Sequence, residues 1–154
     1  MIMAKTPKQA LKEVTDAMDR GFAKFIVNTQ SKLSAGSPVD TGRLASSWFI
    51  SKNTPDRSVP PKAGIPAQRE TINGVSVKIP STNKPDINIT PYTGKITMDG
   101  TWYVSSSLVY AQKAAFDPGY VGRRGGGTGA WFTIVQNNLN RDLDRIMGAE
   151  LRGV

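Results

Sequence analysis

One long helical pattern near the start of the chain limits its possible folds more than any other feature. Between Thr6 and Ser34, Leu11, Val14, Met18, Phe22, Phe25, Ile26 and Leu33 recur at the spacing that lines one stripe of an α-helix. Thr6 supplies an N-cap, Pro7 fits the first helical position, where no N–H is needed, and Gln9 completes a capping box. Gly36 is the expected stop. Gly21 is expected to soften or bend the rod, since an interior glycine costs about 1 kcal/mol against alanine. At about 1.5 Å per residue the helix spans roughly 44 Å. That is longer than a globule of 154 residues usually needs, so part of the stripe is expected to pack on another subunit.

The rest of the chain reads as strands and short helices around that rod. Asp40 or Thr41 is expected to cap a short helix that puts Leu44 and Trp48, four apart, on one face. Trp48-Phe49-Ile50 starts a strand. A proline-rich loop or hairpin insertion follows over about 53–95, with Pro55, Pro60, Pro61 and Pro66 in its first part. Inside it, Asn73-Gly74 is a hairpin turn signal, and Val75, Val77 and Ile79 alternate with polar residues as a half-buried strand does. Ile87 and Ile89 repeat the alternation. Asp99-Gly100 marks a turn before a strand from Trp102 to Ser107, and Leu108–Phe116 reads as a short helix. A closing helix runs from Ala130 to Leu151, capped by Thr128, with Trp131, Val135, Leu139, Leu143 and Ile146 as its stripe. The expected fold is a single α+β domain over residues 1–154. It has a long N-terminal helix, an antiparallel β-sheet, and a C-terminal amphipathic helix packed on the sheet in two layers. Apolar residues make up only 38% of the chain, which points to a thin domain or one whose burial neighbours complete.

Composition narrows the chemistry. The chain has no cysteine, so disulfides and thiolate metal sites are excluded. It has no histidine, which removes the commonest general base and the commonest transition-metal ligand. Asp86, Asp99, Asp117, Asp142 and Asp144 show no metal-ligand spacing and read as surface charges, with Asp142 and Arg145 placed to pair at i,i+3. No serine lies in a Gly-x-Ser-x-Gly elbow. No enzyme activity, cofactor or metal is expected. No apolar run approaches the ~18 residues of a membrane span. The start lacks the apolar core of a signal peptide, so a soluble protein assembled in the cytoplasm is expected.

The formal charge of +8 attracts polyanions at long range. The basic residues are spread along the chain, which suits a general positive field better than a base-reading surface. Gly122 to Gly129 is glycine-rich and basic but lacks the Gly-Lys-Ser/Thr ending of a phosphate loop. Arg123 and Arg124 either face DNA or an acidic neighbour on assembly, or sit in a solvated loop. Trp48, Trp102, Tyr103, Tyr110 and Trp131 read as core or interface anchors ahead of base-stacking platforms.

One stretch is more specific than composition. Ser37-Pro38-Val39-Asp40-Thr41-Gly42-Arg43-Leu44-Ala45-Ser46-Ser47-Trp48 resembles the SPVDTGRLRASW signature of phage tail-completion and neck proteins, the minor tail protein Z-like family of siphophages. Val109-Tyr110-Ala111 followed by Phe116-Asp117-Pro118-Gly119 is similar to that family's second segment. It departs in having Ala114-Ala115-Phe116-Asp117 where the family carries a glutamate-glycine pair, and Pro118 before Gly119. The resemblance implies a structural virion protein in the neck or tail, assembled in the host cytoplasm. Its partners would be copies of itself in a ring of roughly six or twelve, adjoining head-tail connector, tail terminator or tail tube proteins, and genomic DNA passing non-specifically through the channel. Asp40, Thr41, Gly42, Arg43, Trp48 and Tyr110 are the assembly-interface candidates. Arg43 would bond a neighbour's carboxylate or else merely fix a local turn. Arg123 and Arg124 are the DNA-channel candidates. The competing reading is a free basic nucleic-acid-binding protein.

Overall fold

The capping box at Thr6 forms as the sequence dictates. The Gln9 N–H donates to Thr6 Oγ1 at 3.2 Å, and the Thr6 N–H donates to Gln9 Oε1 at 3.0 Å. It opens helix α1 (Pro7–Gly36) in a computed structural model that describes residues 4–39, 43–60, 68–79, 87–117, 127 and 130–154. There follow β1 (Phe49–Lys52), β2 (Gln68–Ile72), β3 (Val75–Ile79), β4 (Trp102–Ser105), α2 (Ala111–Phe116), α3 (Trp131–Asn137) and α4 (Leu139–Leu151). The fold class is α+β, with a long N-terminal helix, antiparallel strands and C-terminal helices against them.

Among the described residues the strands form two separate two-stranded ribbons rather than one sheet. β1 pairs with β4, Phe49 opposite Ser105 and Lys52 opposite Trp102. β2 pairs with β3 across Asn73-Gly74, whose φ angles of 52° and 78° give the left-handed pair that a two-residue hairpin turn needs. Ile87 and Ile89 form no strand and are exposed. Prolines at 85 and 91 bracket this piece and limit the N–H donors a ladder could use.

α4 lies antiparallel on α1, with Lys32 meeting Asp142 near one end and Lys24 meeting Glu150 near the other. Gly21 lies where α4 comes closest to α1. A Cβ at Gly21 would come within 2.6 Å of Met147 Sδ. The expected single closing helix is two, joined at Asn138, whose N–H reaches Ile134 and Val135 carbonyls at 3.2 Å. This joint lets α3 turn its aromatics toward the strands while α4 follows α1. The residue before α3 is Ala130, which makes no side-chain cap; Thr128 lies outside the described residues.

Burial falls into three clusters. Leu33, Trp48, Trp131 and Val135 join α1 to α3, with Val104 of β4 and Phe132 packed against them. Ile26, Ile50 and Ile96 seat β1 on α1. Leu44, Leu108 and Ala114 form the third, under Tyr110. Each large buried side chain contributes about 1.5–3 kcal/mol. The expected short helix through Leu44 and Trp48 is instead a turn at Arg43–Ser46, so these two residues enter different clusters. The stripe on α1 also divides. Ile26 and Leu33 are buried, but Leu11 is 67% exposed and Val14 38%.

Candidate functional site

The residues of the motif stretch that the structure describes, Ser37–Val39 and Arg43–Trp48, form a polar knot at the end of α1. Ser37 is wholly buried. Its Oγ donates to the Leu33 carbonyl at 2.6 Å and accepts the Trp48 indole N–H at 2.8 Å. A buried tryptophan needs a partner for that N–H, and here the serine supplies it. Two helical turns earlier, Gln30 is 2% exposed, and its Nε2 donates to the carbonyls of Trp48 at 2.8 Å and Thr90 at 2.9 Å. Ser47 donates to the Leu44 carbonyl at 2.6 Å and shares a 2.6 Å hydrogen bond with Ser106 at the end of β4. Ser46 Oγ accepts the Asn88 N–H at 2.9 Å. Buried and part-buried hydrogen bonds thereby tie the 46–48, 88–90 and Ser106 segments together beside one helix end. Leaving any of these donors or acceptors unpaired would cost about 1–3 kcal/mol.

The Trp48 ring stacks on Phe132 at 6.1 Å and 21° and meets Trp131 edge-on at 6.3 Å. The Trp131 indole N–H donates to the Ala114 carbonyl at 3.1 Å, which fastens α3 to α2. Gly127, from the glycine-rich stretch, closes the knot. Its N–H donates to the Gly36 carbonyl at 2.8 Å, at φ +67°, and a Cβ there would lie 2.3 Å from Pro38 Cγ. Only glycine fits that approach.

Of the interface candidates, Trp48 is 6% exposed and spent inside its own chain. Arg43 directs Nε to the Pro60 carbonyl at 3.2 Å. Tyr110 is half-buried and packs with Leu44, so residues from both segments of the family resemblance meet in one cluster. Asp40, Thr41 and Gly42, like Arg123 and Arg124, lie outside the described residues. Sequence reasoning missed Gln30, Ser37, Ser46 and Ser47. The available signal was a buried-pattern tryptophan beside several small hydroxyls.

Asp142 is not the surface charge its sequence suggested. It is 4% exposed, and Lys32 bonds it from α1 while Arg145 approaches to 3.7 Å. The Lys32 hydrogen bond holds its carboxyl below the ordinary range, aided by the charges of Lys32, Arg145 and Arg141. Glu150 is likewise held low, first by Lys24 and then by Arg20. Among the described residues no group of three or more acids could hold a metal ion, and no helix is long and apolar enough to cross a membrane. Comparison with protein families, with curated proteins and with solved structures finds no match to this chain.

Proposed function

We propose that the chain is a structural subunit of a tailed bacteriophage particle, forming a ring with its own copies in the neck or tail-completion region, around the channel that carries genomic DNA. The motif stretch carries this reading. Its resemblance to the neck-protein signature covers Ser37 to Trp48, and its described polar groups are consumed in holding segments together. Such a stretch serves a scaffold, which must keep its shape while gripped from both sides. The exposed end of the α1 stripe agrees. Ala17 is fully buried, whereas Leu11 and Val14 before it stand in water. A positive net charge suits a channel wall that tolerates DNA without reading its sequence.

The test is to purify virions and run them on a denaturing gel. A 16.7 kDa band present at fixed stoichiometry is the expected result. Absence from finished particles rejects the proposal. Strong, steeply salt-dependent DNA binding by the isolated subunit would then favour a free nucleic-acid-binding protein.

A further inference from the structure

Helix α4 mixes both signs of charge along its sequence, yet folding sorts them by face. Its inner side meets α1. Met147 lies against Gly21, Lys32 bonds Asp142, and Lys24 and Arg20 bond Glu150. At about 100° per residue, Arg141, Arg145 and Arg152 fall within about 40° of one another on the opposite side. All three are exposed, Arg145 with 63% of its side chain in water. Two acids of the helix, Asp142 and Glu150, are thus turned inward and answered by cations of α1. Asp144 stays outside, about 60° from Arg141. The arginines keep most of their donors. Among the described residues Arg141 makes no hydrogen bond or ion pair. Arg145 only approaches Asp142, at 3.7 Å, and Arg152 uses Nε alone, on the Gly148 carbonyl at 3.2 Å.

Gly148 lies in the same row, between Arg145 and Arg152. A glycine inside a helix costs about 1 kcal/mol against alanine. Packing does not ask for it, because open space lies where its Cβ would be. What the missing side chain provides is a low point among the arginines, where a partner can come close to the backbone. The row rises about 6 Å from Arg141 to Arg145 and about 16 Å from Arg141 to Arg152. Over about 16 Å a DNA duplex presents roughly five phosphates on each strand.

We infer that the outer face of α4, through Arg141, Arg145 and Arg152, is a contact surface for the phosphate backbone of duplex DNA. The cations of the row are all guanidinium groups, whose planar fork takes two phosphate oxygens at once. A protein partner is usually seated on a large apolar or aromatic anchor, and a single strand stacks its bases on rings. The row itself offers neither. Contacts of this kind hold a duplex in place without reading its bases. That DNA is the source of the phosphates rests on the virion reading; the sorting of charge on α4 does not.

The test titrates a labelled duplex of arbitrary sequence with the full-length chain over a series of salt concentrations. The wild type should bind at low ionic strength. Arg141→Gln, Arg145→Gln and Arg152→Gln together should weaken binding at least about tenfold and flatten the salt dependence by about 0.9 per lost contact. Arg141→Gln alone, which removes no internal bond, should flatten it by about 0.9. Taking the same charge from elsewhere, with Lys8→Gln, Arg57→Gln and Lys113→Gln at exposed positions, should weaken binding far less. Glutamine is a good helix former, so both triple variants should melt near the wild type. Equal weakening by the two triple variants overturns the inference in favour of a general positive field. A wild type that binds no duplex at low ionic strength also overturns it. So does release of the duplex by polyglutamate as readily as by unlabelled duplex of equal charge, which would make the row a seat for an acidic protein. Row-dependent binding by a chain missing from virions would sink the phage reading and leave the row standing. A virion protein whose two triple variants bind alike would do the reverse.

Discussion

The two ribbons differ little in length and share the same antiparallel pairing, yet they sit in opposite surroundings. β1–β4 lies on α1 through Ile50 and Ile26, and is locked at one end by Gln30, Ser47 and Ser106. β2–β3 has the better turn, Asn73-Gly74 in the left-handed pair, but among the described residues no helix packs on it. Good turn chemistry thus makes a hairpin without making it part of a core. What incorporates a ribbon here is a helix face that presents both apolar side chains and a buried donor to it.

The largest test of that contrast is Trp48, which leads into β1. Trp48→Ala removes the ring between Trp131 and Phe132 and leaves Ser37 without its indole partner. Loss of about 3–5 kcal/mol is expected, read as a large drop in melting temperature or outright unfolding. A loss below about 1 kcal/mol would mean that the knot does not hold β1–β4 in place.

This contrast also explains what was legible in the sequence. Elements governed by local rules were read well. The capping box and the Asn73-Gly74 turn act within a few residues, and both appear where expected, as does the long helix itself. Features set by distant partners were not legible. Nothing near Leu11 says that its end of the stripe, rather than the other, is the exposed one. Nothing near Gly21 announces that α4 crosses there, because Met147 is far away in the chain. Asp142 looked like a surface charge because Lys32 lies on another helix. The candidate site followed the same pattern. The Ser37–Trp48 stretch stood out, but its action depends on Gln30, Ser106 and Gly127, which carry no signature of their own.

A smaller effect is expected at the α1–α4 platform that supports β1–β4. The Asp142 carboxyl is held below its ordinary range chiefly by the Lys32 hydrogen bond. Its contribution is fully present above the unfolded carboxylate value of about 3.9 and is lost as pH falls through the lower folded value. Asp142→Asn should therefore cost on the order of 1 kcal/mol near neutrality, because Lys32 still reaches water. The gap between the melting curves of wild type and variant should narrow below about pH 4. A gap constant from neutral to acid would show that the ion pair adds nothing to the platform.

A test of comparable size separates the ribbons most sharply, using one substitution at two matched glycines. Gly74, in the β2–β3 turn, has φ +78° and open space where a Cβ would go. Gly100, before β4, has φ +76°, but its Cβ would lie 2.8 Å from Lys52 Cε and 2.9 Å from Asn53 Oδ1. Alanine strains the backbone at both sites, by roughly 1–2 kcal/mol. At Gly100 the strain falls on the packed ribbon and should lower the melting temperature of the whole chain. At Gly74 it falls on a ribbon whose strands, among the described residues, pack on no other helix or strand. There, faster hydrogen exchange of the Val75–Ile79 amides is expected, with the global melting temperature unmoved. A global loss at Gly74 equal to that at Gly100 would place the hairpin inside the cooperative unit. The two ribbons would then be one structure.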